Sequence, residues 1–152
     1  MSRFTKKRIL AISFFVAMPV IFGGLVYILF RSSSLLMFKW FDFVGILPVI
    51  STLRTTLNPI YPILPNWFLF SIPDALWVYS LTFFIGVIWY KGKPAQLFLF
   101  FIFSLLYGVL PEFLQQLNIL PGSFDQTDLY FQFAASLIGV YSIHHYKKEA
   151  VW

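Results

Sequence analysis

Apolar residues fill four long stretches of this chain, and polar residues are pushed into the gaps between them. Ile9 to Phe30 runs for 22 residues without a charge, enough to cross a ~30 Å hydrocarbon core at 1.5 Å of rise per residue. That run is too long for a cleaved signal peptide and lacks its small-residue cleavage site. Three more helices are predicted, over 67–90, 95–116 and 128–146. In the first of these, Trp67 and Trp89 stand about 33 Å apart at helical rise, which suits the two aromatic belts of a bilayer. In the first run, Pro19 and Gly23-Gly24 should bend the helix or admit a close neighbour.

The gaps carry the charge. Arg3, Lys6, Lys7 and Arg8 precede the first run, Lys91-Gly92-Lys93-Pro94 forms a tight basic turn, and Lys147 and Lys148 end the last run. These eight of the eleven Lys and Arg residues fall on one side of a four-span arrangement. By the positive-inside rule that side is the cytoplasm, and both termini lie there. Arg31 to Asn66 is then an outer segment. Ser32 to Ser34 can cap a short helix over 35–46. Lys39 and Asp42 share one face of it at i and i+3, with aromatics over the rest, as expected of a helix lying in the interface. Pro48, Pro59, Pro62 and Pro65 should forbid a long regular element after it. Reading 35–53 as another span would send Lys91 and Lys93 outside, against the charge bias.

Composition agrees with a lipid solvent. The chain of 152 residues is 59% hydrophobic and only 11% charged, whereas soluble domains carry about 25% charged residues. No polar linker divides it, so residues 1–152 make one all-α, polytopic membrane domain with an interfacial helix between the first two spans. The absence of cysteine removes disulfides and thiolate chemistry. The net charge of +5 is accounted for by topology, and nucleic acid is not an expected partner.

The six acids are the informative residues. Asp74 lies 17 residues before Lys91, and Glu112 lies 17 residues after Ala95. Antiparallel helices leaving one short turn therefore raise both carboxyls about 25 Å above the inner boundary. Gln132 reaches nearly the same level, with Asp128 one turn higher and Asp125 in the loop above. Gln115 shares a helix face with Glu112. Pro73-Asp74 reads as the start of regular helix at the outer interface. Pro111 should kink or break its helix and free a carbonyl near Tyr107. Ionisable groups beside hydrocarbon are costly and mark function, so Asp74, Glu112, Gln115, Asp125, Asp128 and Gln132 are the candidate pocket. The plainer alternative is that Asp74 and Asp128 cap helices while Glu112 and Gln132 bond across them. Asp74, Glu112 and Asp128 are also candidate oxygen ligands for a divalent cation; no other cofactor is expected. Closely placed carboxyls can pass a proton as well. His144-His145 sits a bilayer away, its rings diverging by about 100°, so no Ser-His-Asp set can form. Tyr79, Ser80 and Thr82 are expected to bond between helices.

At these residues the chain resembles the VanZ-like family of small bacterial membrane proteins. Asp74, Glu112 with Gln115, Pro121-Gly122, Asp128, Gln132 and Gly139 match that family's order over about 72–139. Where the family often has Lys and His after its first Asp, this chain has Ala75 and Val78. The Arg common after Pro-Gly is replaced by Ser123-Phe124-Asp125, and the usual Asn is Gln132. The resemblance implies a divergent member in the bacterial inner (plasma) membrane, with a role in the cell envelope. The leading expectation is a protein that binds an amphiphilic or lipid-linked ligand, such as an envelope lipid or glycan precursor, in an outward-facing acidic pocket. A membrane enzyme acting on a lipid or phosphate group at the outer leaflet, and a structural subunit of a larger membrane complex, are the alternatives.

Overall fold

The computed structural model describes residues 3–89, 94–120 and 122–149, and every regular element among them is helical. The first run is one continuous rod made of α1 (Arg3–Ile12), a π turn (Ser13–Ala17) and α2 (Met18–Phe30). The π turn has a local cause. Pro19 follows one residue after it, and the Met18 N–H bonds Ser13 O, so the wider turn makes room where a proline ring would otherwise press on the preceding carbonyls. Then come α3 (Leu36–Phe43), α4 (Leu47–Leu57), a 3₁₀ turn (Asn58–Ile63), α5 (Asn66–Ile88), α6 (Pro94–Gln116) and α7 (Gln126–Glu149). Ile9–Phe30 and Asn66–Ile88 are long and apolar enough to cross a membrane.

Helix α5 is the centre of the fold, packed against α2, α6 and α7. Its buried positions, Leu69, Ser71, Pro73, Ala75, Val78, Ser80, Thr82, Phe83, Gly86 and Val87, cover more than one face, as a helix enclosed by neighbours requires. Glycines set the close approaches. A Cβ on Gly86 would come within 2.7 Å of Ile143, and one on Gly23 within 3.0 Å of Trp77 Nε1. Small residues that let helix backbones meet are the usual means of association where water supplies no driving force. Beside Gly86, Phe83 is fully buried, stacked on Phe15 at 4.8 Å, and forms a core with Ala11, Val87 and Ile143.

Several expectations are corrected. Pro73 does not start its helix, since α5 begins at Asn66, and Pro111 does not break α6, which runs on to Gln116. Proline fits helical φ and forfeits one backbone bond, a loss that neighbouring helices tolerate. Helix α3 is shorter than the expected 35–46, and no serine side chain caps it; Ser32 Oγ accepts from the Ser34 N–H instead. The elements across the prolines after it are short: α4 has 11 residues and stops before Pro59, and a 3₁₀ turn follows. Pro48 occupies the first turn of α4, where its missing N–H costs nothing. The basic turn at Lys91–Lys93 and Pro121 lie outside the described residues, as do the side chains of Lys147 and Lys148.

Candidate functional site

Four helix faces converge at one end of the bundle. From α2 and the residue that follows it come Tyr27 and Arg31, from α5 Phe70, Asp74, Trp77 and Val78, from α6 Tyr107, Gly108, Pro111, Glu112 and Gln115, and from α7 Asp128 and Gln132. Each set follows the three-to-four-residue spacing that keeps side chains on one helix face. Together with Gly122, Ser123 and Asp125 of the preceding loop they line a cavity of about 640 Å³. All six candidate residues named from the sequence line this cavity. Helices α5 and α7 pack closely behind it, while α2 and α6 make no extensive contact with each other among the described residues, so the cavity occupies the gap between them.

The acids are held by different means. Glu112 is buried, and its Oε2 accepts the Asp125 N–H at 3.2 Å, which ties the loop to α6. Asp125 is exposed and caps α7, its Oδ1 accepting the Thr127 N–H at 2.8 Å. The cap is thus Asp125, not Asp128, and Asp74 caps nothing because it lies inside α5. Asp74 faces Arg31 across the cavity wall, Oδ2 to Nη2 at 3.7 Å. Both side chains are about a quarter exposed, so this pair contributes little by itself.

Arg31 is the residue that counting along the sequence passed over. Its guanidinium donates to Phe70 O at 3.3 Å and lies 5.0 Å over the Tyr27 ring and 4.7 Å over Phe70. Arg54 fixes the backbone beneath it by donating to Ile28 O and, at 2.7 Å, to Arg31 O, the free carbonyls that end α2. The available signal was depth: Arg31 follows the first apolar run directly and so belongs to the acid layer. Arg31 also lines a second cavity of about 590 Å³, with Arg54, Ser33 and Asn58.

At the deep end of the main cavity, Asp128 and Gln132 are 8% and 3% exposed. Asp128 Oδ1 and Gln132 Oε1 have no hydrogen-bond partner. A Cβ on Gly108 would stand 3.0 Å from Gln132 Oε1 and 2.5 Å from Val78 Cγ2, so α6 closes on α5 and α7 here. One turn further in, the same three faces meet through hydroxyls: Thr82 Oγ1 lies 2.8 Å from Ser104 Oγ and 3.4 Å from Ser136 Oγ. Thr82 therefore bonds between helices as expected, whereas Ser80 returns to Leu76 O of its own helix. Gln115 lies at the cavity mouth against Gly122, where a Cβ would come within 2.5 Å of its amide.

Among the described residues, no group of three or more acidic or histidine side chains is gathered to hold a metal ion. The arrangement therefore does not offer Asp74, Glu112 and Asp128 as joint ligands of one cation. What it presents is a polar chamber rich in acceptors, walled partly by Tyr27, Trp77 and Tyr107. No protein-family model matches the chain, and no curated protein or solved structure matches it.

Proposed function

We propose that this protein is a four-span, VanZ-like protein of the bacterial inner membrane that binds the head of an amphiphilic or lipid-linked ligand in its acidic cavity. On this reading α6 and α7 also span. At 23 and 24 residues they are about 35 Å long, and their exposed Phe98, Phe103, Phe133 and Ile138 face acyl chains. Both termini are cytoplasmic and the cavity opens outward. Helix α3 lies at the outer interface: Leu36, Trp40 and Phe43 form an exposed apolar stripe beside exposed Lys39 and Asp42, the pattern of a helix bedded among headgroups.

The observation that carries the proposal is the cavity between α2 and α6. An enclosed site would take a soluble ligand. A polar chamber in the gap between two apolar helices takes a ligand whose head is polar and whose tail stays among lipids. Tyr107 is 62% exposed and Leu110 53% exposed on the α6 edge of that gap, so the tail has apolar surface to follow. Native mass spectrometry of protein extracted in a mild neutral detergent tests this reading. Wild-type protein should carry one retained amphiphile, and Asp74→Asn together with Glu112→Gln should release it while helicity is kept. Wild-type protein that sheds every amphiphile, or a double variant that keeps it, contradicts the proposal.

A further inference from the structure

We infer that the deep end of the cavity is a primary-ammonium site, so that the bound amphiphile is a long-chain amine or carries an amino group on its head. This rests on the amphiphile-binding reading and names its ligand class. Two independent observations meet here. The first is balance of charge type: among the described residues, Asp74, Glu112, Asp125 and Asp128 face the cavity against one guanidinium, that of Arg31. The second concerns unsatisfied atoms. Asp128 and Gln132 are both more than nine-tenths buried, both line the cavity, and each has an oxygen without a partner. Those oxygens accept hydrogen bonds. A buried acceptor left unmade carries its full desolvation cost, so the ligand that repays it must bring N–H or O–H donors.

A donor with positive charge answers both observations at once. An ammonium group supplies three N–H bonds, which Asp128 Oδ1, Gln132 Oε1 and the free capacity of Glu112 can accept. A bare phosphate or sulfate answers only Arg31 Nε, the unpartnered donor on the opposite wall, and brings acceptors to the acceptors of Asp128 and Gln132, so it is disfavoured. A quaternary ammonium matches the charge but has no N–H. The aromatic faces it would need instead are partly taken, because Arg31 already covers Tyr27 and Phe70. The chemistry therefore selects a primary amine over its methylated form.

Matched amphiphiles with one chain length test this. Full-length protein in phosphatidylcholine nanodiscs, which contain no primary amine, is titrated with dodecylamine, dodecyltrimethylammonium or dodecanol, and the unfolding midpoint is followed as ligand binds the folded state. Dodecylamine should raise the midpoint, with an apparent affinity about tenfold or more above the other two. Asp128→Asn should remove that preference. If Asp128→Asn does not fold, Asp74→Asn, at a partly exposed position, should weaken dodecylamine about tenfold more than it weakens dodecanol. Equal binding of dodecanol and dodecylamine would overturn the ammonium site while leaving the amphiphile reading intact. Stronger binding of the trimethylated amine, or a full dodecylamine preference in the variant that folds, would also overturn it. No response to any of the three would overturn both.

Discussion

Gly108 of α6 and Gln132 of α7 meet with no room for a side-chain carbon between them: a Cβ on the glycine would stand 3.0 Å from Gln132 Oε1 and 2.5 Å from Val78 Cγ2. This contact floors the cavity and aligns the hydroxyls of Thr82, Ser104 and Ser136 one turn below. Gly108→Ala must displace Val78 and Gln132 or shift α6, and should cost about 1–3 kcal/mol, the usual range for overpacking. Gly24→Ala is the control, because nothing lies within 4 Å of its Cβ position. Thermal unfolding in one detergent should show a lowered midpoint for the first and none for the second. Val78→Ala should restore part of the loss.

The bond from the Asp125 N–H to Glu112 Oε2 ties the loop after α6 to the helix. Glu112→Ala removes the acceptor and should cost about 1.5–3 kcal/mol, as for other bonds to charged groups. It should also raise protease cleavage between Leu117 and Asp125. Glu112→Gln keeps a carbonyl oxygen there and should leave cleavage near the wild-type rate.

Arg54 ends α2 by donating to Ile28 O and Arg31 O, with its guanidinium 4.9 Å over Phe38. Arg54→Ala should lower stability by about 1–3 kcal/mol and loosen Arg31 in the cavity wall. Arg54→Lys supplies a single ammonium in place of a planar fork and should recover only part of the unfolding midpoint.

Because the chain has no cysteine, single introduced cysteines report alone. Lys39→Cys and Asp42→Cys, both exposed on α3, should react with a membrane-impermeant maleimide added from outside. Protection of both would place α3 elsewhere than the outer interface. Reporter fusions at Gly92 and after the last residue should read cytoplasmic.

Much of this was legible in the chain because helices rise by a constant amount. Counting from the basic turn put Asp74, Glu112 and Gln132 in one layer, and these residues do line one cavity. The apolar runs located α5, α6 and α7 to within a few residues. Other features depended on contacts between residues distant in sequence. Arg31 joins the site because α2 packs on α5, and Asp125 rather than Asp128 caps α7 because the loop folds back on Glu112. Pro73 was read as the start of regular helix, although α5 begins at Asn66, and Pro111 does not break α6, because a proline's cost in a helix is set by its neighbours, which no local pattern displays. The partners of Thr82 were hidden for a related reason: Ser104 and Ser136 look ordinary until three faces are brought together.

Ser123 is an exposed residue at the cavity mouth, and the reactivity of Ser123→Cys tests the central claim most directly. The measurement is its rate of modification by an impermeant maleimide in right-side-out and inside-out membrane vesicles, with and without a saturating long-chain amine. An outward-facing amphiphile cavity gives fast modification in right-side-out vesicles and marked slowing by the amine. Modification confined to inside-out vesicles, or a rate indifferent to the amine, would contradict it.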